Sequence, residues 1–111
     1  MGIMLYVDDI RNPKAPGYTV VRSYEEAILF IEFNGIPPHI SFDHDLGEAS
    51  TKTGYDLAKW IIAFDMDYNQ IREDFIFNVH SANPVGAKNI VNCLDHYLKY
   101  KFGEDRTYQQ L

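Results

Sequence analysis

The chain has one cysteine, Cys93. No disulfide can form within it, so nothing demands an oxidising compartment, and Cys93 reads as an inert thiol on a helix. No apolar run approaches the roughly 20 residues of a membrane-spanning helix. The N-terminus also lacks the basic region and apolar core of a secretory signal. The expectation is a cytoplasmic protein with no membrane contact. Positive charge is scarce: ten Lys and Arg stand against sixteen Asp and Glu, a net charge of -6. Double-stranded nucleic acid, which needs a clustered basic face, is therefore not an expected partner. A small charged ligand held by a few local cations is compatible with this balance. Repeats, low-complexity segments and linker-like stretches are absent. With 46% hydrophobic residues, the composition fits one globular domain over residues 1–111, with a surface tail from about 103 to 111.

What is present alternates between two periods. Residues 2–7 ("GIMLYV") form a short apolar run ending at Asp8-Asp9 and read as a buried strand. The two prolines, glycine and asparagine of "RNPKAPG" mark a loop, and residues 18–23 read as a second strand. Ser23 caps a helix that Gly35 ends. "HISFD" (39–43) is a third strand, with His39 ahead of it read as structural. After a polar loop, Thr53 and Asp56 have capping-box spacing, and Leu57, Trp60, Ile61 and Phe64 follow at helical intervals. "DFIFNVH" (74–80) is a fourth strand. Asn83-Pro84 opens a last helix with Ile90, Val91, Leu94, Tyr97 and Leu98 as its apolar stripe. Tyr97, Tyr100 and Phe102 suggest an exposed aromatic surface for self-association into a homo-oligomer. Strands alternating with helices predict an α/β domain with a parallel four-stranded sheet in the order 2-1-3-4.

Ligands of such sheets bind outside the carboxyl ends of the strands, beside the point where strand order reverses. Asp8-Asp9, Asp43-His44-Asp45 and His80-Ser81-Ala82-Asn83 leave three strands at that rim. Four carboxylates and two imidazoles are thereby expected to converge. Such carboxylates either hold a hard divalent cation, Mg2+ or Mn2+, with Asp8, Asp9, Asp43 and Asp45 as ligands, or one keeps a proton and serves as an acid without metal. His44 and His80 are candidate acid and base. Helix starts at Thr53-Gly54 and Asn83 offer backbone N–H groups to an anion, and Arg11 offers a bidentate fork. Ser81 adds a hydroxyl, and Tyr55 could stack on a base or ribose.

The stretches "VDDIR", "ISFDHDLG", "TGYDLAKWI" and "VHSANPVGAKNI" together resemble the cyclic-phosphate-processing receiver-like domain family, some members of which are encoded by phages. The resemblance implies a truncated receiver-like (flavodoxin-like) three-layer α/β sandwich. It places Asp8, Asp9, Arg11, Asp43, His44, Asp45, Thr53, Gly54, His80, Ser81 and Asn83 in the site. It implies a phosphodiesterase acting on a cyclic phosphate in a small nucleotide, in host cytoplasm if phage-encoded, with Asp43, His44 and His80 catalytic. Two other readings stay open: a binding protein that sequesters a nucleotide messenger without cleaving it, and a degenerate receiver-type signalling domain. The proline-bearing loop in place of a first helix, and the missing lysine after a fifth strand, weigh against phosphorelay. The two-histidine phosphoesterase pattern suggested by His39 fails at His80-Ser81-Ala82.

Overall fold

The computed structural model describes residues 2–47 and 50–103. The elements run β1 (Met4–Val7), β2 (Tyr18–Val21), α1 (Tyr24–Asn34), β3 (His39–Phe42), α2 (Gly54–Tyr68), β4 (Ile76–Val79) and α3 (Pro84–Phe102). The sheet is parallel in the order β2-β1-β3-β4, as the alternation of strands and helices predicts. The strands are shorter than their apolar runs. β4 starts at Ile76 instead of Asp74, because the backbone N–H of Phe75 closes a turn onto Arg72 O and only Ile76 joins the sheet. The expected tail beyond Gly103 lies outside the described residues. Among those residues, no helix is long and apolar enough to cross a membrane.

Each helix starts where its capping side chain sits. Ser23 Oγ accepts from Glu26 N at 3.0 Å, and Asn83 Oδ1 accepts from Gly86 N at 3.0 Å. Thr53 and Asp56 form a reciprocal capping box, each side chain accepting from the other's backbone N–H. These contacts satisfy N–H groups that a helix start leaves without internal partners.

Strand alternation gives the sheet two unlike faces. Leu5, Val7, Val21, Ile40, Phe42 and Phe77 point to one face and are buried. They share a core with Ala27 and Ile31 of α1, Leu57 and Ile61 of α2, and Ile90 and Leu94 of α3. All three helices therefore pack on that face. In the other phase, Tyr6, Ser41 and Asn78 stand side by side in register across β1, β3 and β4. No helix of the described residues covers this second face. The β1–β2 connection lies over it, where Pro13, Pro16 and Gly17 (φ 95°) exclude a regular helix. The expected third layer is reduced to a loop.

The last helix corrects the expectation of an exposed aromatic surface. Tyr97 is buried and donates its hydroxyl to Asp65 Oδ2 at 2.6 Å, while Phe102 is partly buried against the core; of the three, Tyr100 stays exposed. Asp65 is itself buried. Its Oδ1 accepts from Gln70 N and Ile71 N at 2.6 Å each, and its Oδ2 also receives Lys101 Nζ at 2.7 Å. One carboxylate thus ends α2 and ties it to the last turns of α3. Removing a buried ion-pair partner strands the other charge. Asp65→Ala is expected to lower stability by about 3–5 kcal/mol, against about 1 kcal/mol for Tyr97→Phe. Urea unfolding midpoints of the two variants check the ranking.

Candidate active site

The sheet ladder continues one residue past the strands. Asp8 N donates to Val21 O, Asp43 N to Val7 O, and His80 N to Phe42 O. Asp8, Asp43 and His80 therefore leave adjacent strands at the same level, about 4.8 Å from one strand to the next. All three belong to the polar face, two residues beyond Tyr6, Ser41 and Asn78. Asp8 and Asp43 are both buried. Two buried carboxylates at that spacing repel each other and lose hydration.

Arg11 answers the conflict. Its Nε lies 3.1 Å from Asp8 Oδ2 and its Nη2 3.3 Å from Asp43 Oδ1. Arg22 shapes the loop that carries it: Nη1 donates to the carbonyls of Asp8 (3.2 Å) and Arg11 (2.7 Å), and Nη2 to Asn12 Oδ1.

The two acids are treated unequally. Asp8 Oδ1 accepts from the backbone N–H of Ile10 (3.0 Å) and Arg11 (2.8 Å), while Oδ2 receives Arg11 Nε and His80 Nε2. Burial alone would raise its pKa, but the backbone donors, the Arg11 charge and His80 together hold it below the ordinary carboxylate value. Asp43 accepts only from His44 N and Arg11, both at Oδ1, and Oδ2 has no partner among the described residues. Burial, then the Asp8 charge, push Asp43 upward, and Arg11 only partly offsets them. Paired groups driven apart in this way separate an anchored anion from a carboxylate free to exchange a proton.

His80 is enclosed by partners. Nε2 lies 3.0 Å from Asp8 Oδ2, Nδ1 lies 2.7 Å from Ser41 Oγ, and the ring stacks on Tyr6 with centroids 4.2 Å apart. Burial lowers its pKa despite the neighbouring acids, which favours the neutral ring. A carboxylate can only accept, so Nε2 carries the hydrogen and Nδ1 accepts from the Ser41 hydroxyl. Ser41 in turn accepts from Asn78 Nδ2 at 2.7 Å, and Asn78 Oδ1 receives His39 Nε2 at 2.7 Å. Every bond in this row, His39 to Asn78 to Ser41 to His80 to Asp8, is donated toward Asp8. Ser41 and Asn78 did not stand out in the sequence. The signal that finds them is polarity two residues before each strand-end group: Tyr6 before Asp8, Ser41 before Asp43, Asn78 before His80.

The other expected residues divide. Asp9 comes within reach of Asp8 and Asp43: one oxygen from each of the three lies within 4.8 Å of the others. The Asp9 carboxylate has no partner among the described residues. This all-oxygen donor set fits a hard divalent cation. Asp45 is exposed and pairs with His44 Nδ1 at 2.9 Å, but it lines the same cavity of about 530 Å³ as Asp9, Arg11 and Asp43. The ring of His44 makes no hydrogen bond to Asp8, Asp43, Arg11 or His80; the residue's contact with Asp43 is through its backbone N–H. Its ring sits against Gly86, where a β-carbon would clash with it, and its carbonyl accepts from Gly54 N at 2.8 Å. A β-carbon on Gly54 would strike the Asp43 carbonyl. Gly54 thus serves close packing and its N–H is already used, while Thr53 is committed to its cap. Ser81 Oγ accepts from Asn83 N at 3.0 Å, and Asn83 caps α3. Tyr55 corrects its expected role as a stacking platform at this rim. It points into a groove between α2 and α3 with Cys93, Tyr97 and Tyr100, because its place in the first turn of α2 turns it toward α3.

The family model described as "Cyclic-phosphate processing Receiver domain" matches residues 3–101. The chain belongs to that family. No curated protein and no solved structure matches it. In this cyclic-phosphate processing Receiver domain, the strand-end acids Asp8 and Asp43 stand above the His80–Ser41–Asn78–His39 row.

The unequal acids set opposite pH dependences. Because folding raises the Asp43 pKa, its contribution to stability is greatest below the ordinary carboxylate value and is lost as pH rises through the raised one. Asp8 has the reverse sign: its contribution is present at neutral pH and lost as pH falls through its lowered pKa. At pH 7, Asp43→Asn is expected to stabilise the domain by about 1 kcal/mol. Asp8→Ala should destabilise it by about 2–4 kcal/mol. Thermal melts between acid and neutral pH should show both effects shrinking on acidification. A destabilised Asp43→Asn would contradict the assignment.

Proposed function

We propose that this domain is a phosphodiesterase that opens a cyclic phosphate on a nucleotide, either a cyclic mononucleotide or oligonucleotide signal or a 2′,3′-cyclic phosphate end. One observation carries the reading. A cavity holds an under-coordinated Asp43 of raised pKa beside an exposed guanidinium, with Asp8 and His80 locked behind them. The phosphate sits at Arg11, which turns from Asp43 to the phosphoryl oxygens and stabilises charge growing on them. Asp43 takes a proton from the attacking water as general base. The P–O bond to the ribose opposite the water then breaks, and the leaving oxygen takes a proton from solvent on the open side of the cavity. Asp9 and Asp43, joined by Asp8 once Arg11 releases it, are the residues that would hold Mg2+ or Mn2+, which would supply Lewis-acid polarisation of a phosphoryl oxygen.

His80 and His44 change roles relative to the sequence expectation. Both His80 nitrogens are used inside the protein, so it acts through Asp8, whose charge and orientation it holds. His44 clamps the starts of α2 and α3 to the exit of β3. Ser81 and Asn83 keep the β4–α3 turn in shape. In a phage-encoded setting, the activity would blunt host immunity that signals through cyclic nucleotides.

The same histidines favour a second reading, a sponge that binds the nucleotide without cleaving it, since both His80 nitrogens and the His44 Nδ1 are spent on protein partners and not offered to a leaving oxygen. One experiment separates the two. The protein is incubated with a panel of cyclic nucleotides, with Mn2+ or with chelator, then denatured and chromatographed. The phosphodiesterase reading expects a linearised product, and Asp43→Asn should reduce turnover about 10²–10⁴-fold with the fold intact. Intact ligand recovered after tight binding decides for the sponge.

A further inference from the structure

A second cavity adjoins the first, and Arg11 lines both. It has a volume of about 670 Å³ and lies on the helix-free sheet face beneath the β1–β2 loop. Its floor is Tyr6, Ser41, Asn78 and His80, its roof Asn12 to Ala15, and its outer wall Tyr18. The volume is in the range of small-molecule sites, about 300–1,000 Å³. We infer that this cavity is the nucleoside subsite: it receives the base and ribose of the ligand whose phosphate lies at Arg11, with the ring of Tyr18 as the wall against which the base packs. This rests on the phosphate reading of the Arg11 site and names where the rest of the molecule goes.

Three observations select that occupant. The polar floor is already satisfied, since Ser41, Asn78 and His80 spend their hydrogen bonds on one another. A charged group would find little on that floor beyond the Tyr6 hydroxyl to hold it, whereas a planar, largely apolar ring packs there and leaves the row of hydrogen bonds intact. The walls are aromatic: Tyr6 and Tyr18 meet edge to face at 5.5 Å, and Tyr6 is backed by His80. A base gains stacking energy on such rings whatever its identity. Charge supplies the third. Residues 10–24 carry Arg11, Lys14 and Arg22 with no acid, inside a chain of net charge -6. Lys14 lies on the roof without an ion-pair partner among the described residues. A cation at each end of an aromatic slot suits a nucleotide that enters phosphate first and, in a cyclic oligonucleotide, presents a second phosphate to Lys14.

The test uses three probes in titration calorimetry with NMR of the tyrosine ring resonances: 2′,3′-cyclic AMP, glycerol 1,2-cyclic phosphate and adenosine. The first shares its ring phosphate with the second and its nucleoside with the third. Wild type should bind 2′,3′-cyclic AMP at least about tenfold more tightly than the glycerol probe, with Tyr18 resonances shifting. Tyr18→Ala should remove most of that advantage while leaving the glycerol affinity within about twofold. Ala15→Trp, on the exposed loop, should do the same by filling the cavity without disturbing the core. Equal affinity for the two cyclic phosphates in wild type with adenosine binding more weakly than both, or an advantage that survives both variants, overturns the subsite but spares the phosphate reading. Adenosine that shifts Tyr18 while neither cyclic phosphate binds better than adenosine upholds the subsite and overturns the phosphate reading. Failure of all three probes to bind overturns both.

Discussion

The site is organised by one electrostatic conflict that the sheet itself creates. Parallel pairing of β1 with β3 sets Asp8 and Asp43 side by side, both out of water. Their separation follows from the spacing of strands, so neither acid can retreat without breaking the ladder. Arg11 is the counter-charge. The loop that carries it is itself held by Arg22, which binds the carbonyls of Asp8 and Arg11. The conflict is resolved for Asp8, which saturates both oxygens, and left open for Asp43, which does not. A cation that is half exposed and shared between two acids can be drawn away by a phosphate.

The helices reach the same point from below. Gly54 opens α2 against the Asp43 backbone, and Gly86 in the first turn of α3 makes room for the His44 ring. Any side chain at either position would push a helix start off the rim. The close fit keeps the exit of β3 from relaxing away from Asp8. The far end of α2 is fastened by a different carboxylate. There Asp65 gathers two backbone donors, Tyr97 and Lys101 in a buried cluster that faces no cavity of the site. Repulsion is thus confined to one rim and cohesion placed elsewhere, as expected where function requires local strain.

The loop between β1 and β2 has a physical consequence for the sheet it covers. With a loop instead of a helical layer over the second sheet face, that face carries polar and aromatic side chains instead of a second apolar core. Tyr6, Ser41, Asn78 and His39 fill it with stacking and directed hydrogen bonds. The same substitution leaves a cavity beside the acids that a packed helix would have closed.

From the chain alone, the alternation of strands and helices, the caps at Ser23, Thr53 and Asn83, and the gathering of Asp8, Asp43 and His80 could be read. Periodicity and capping are local, and parallel strands must all end on one side. Three matters were decided only in three dimensions. Whether His80 faces a ligand or its own neighbours depends on which residues stand opposite it across strands, and Ser41 is thirty-nine positions away. Whether Tyr97 is a surface or a core residue depends on a carboxylate from another helix. Which of two similar aspartates is anchored and which is free depends on where the loop after β1 turns its N–H groups. Each is a matter of cross-element register and hydrogen-bond partners, and no periodicity within a segment encodes which groups of another segment will face it.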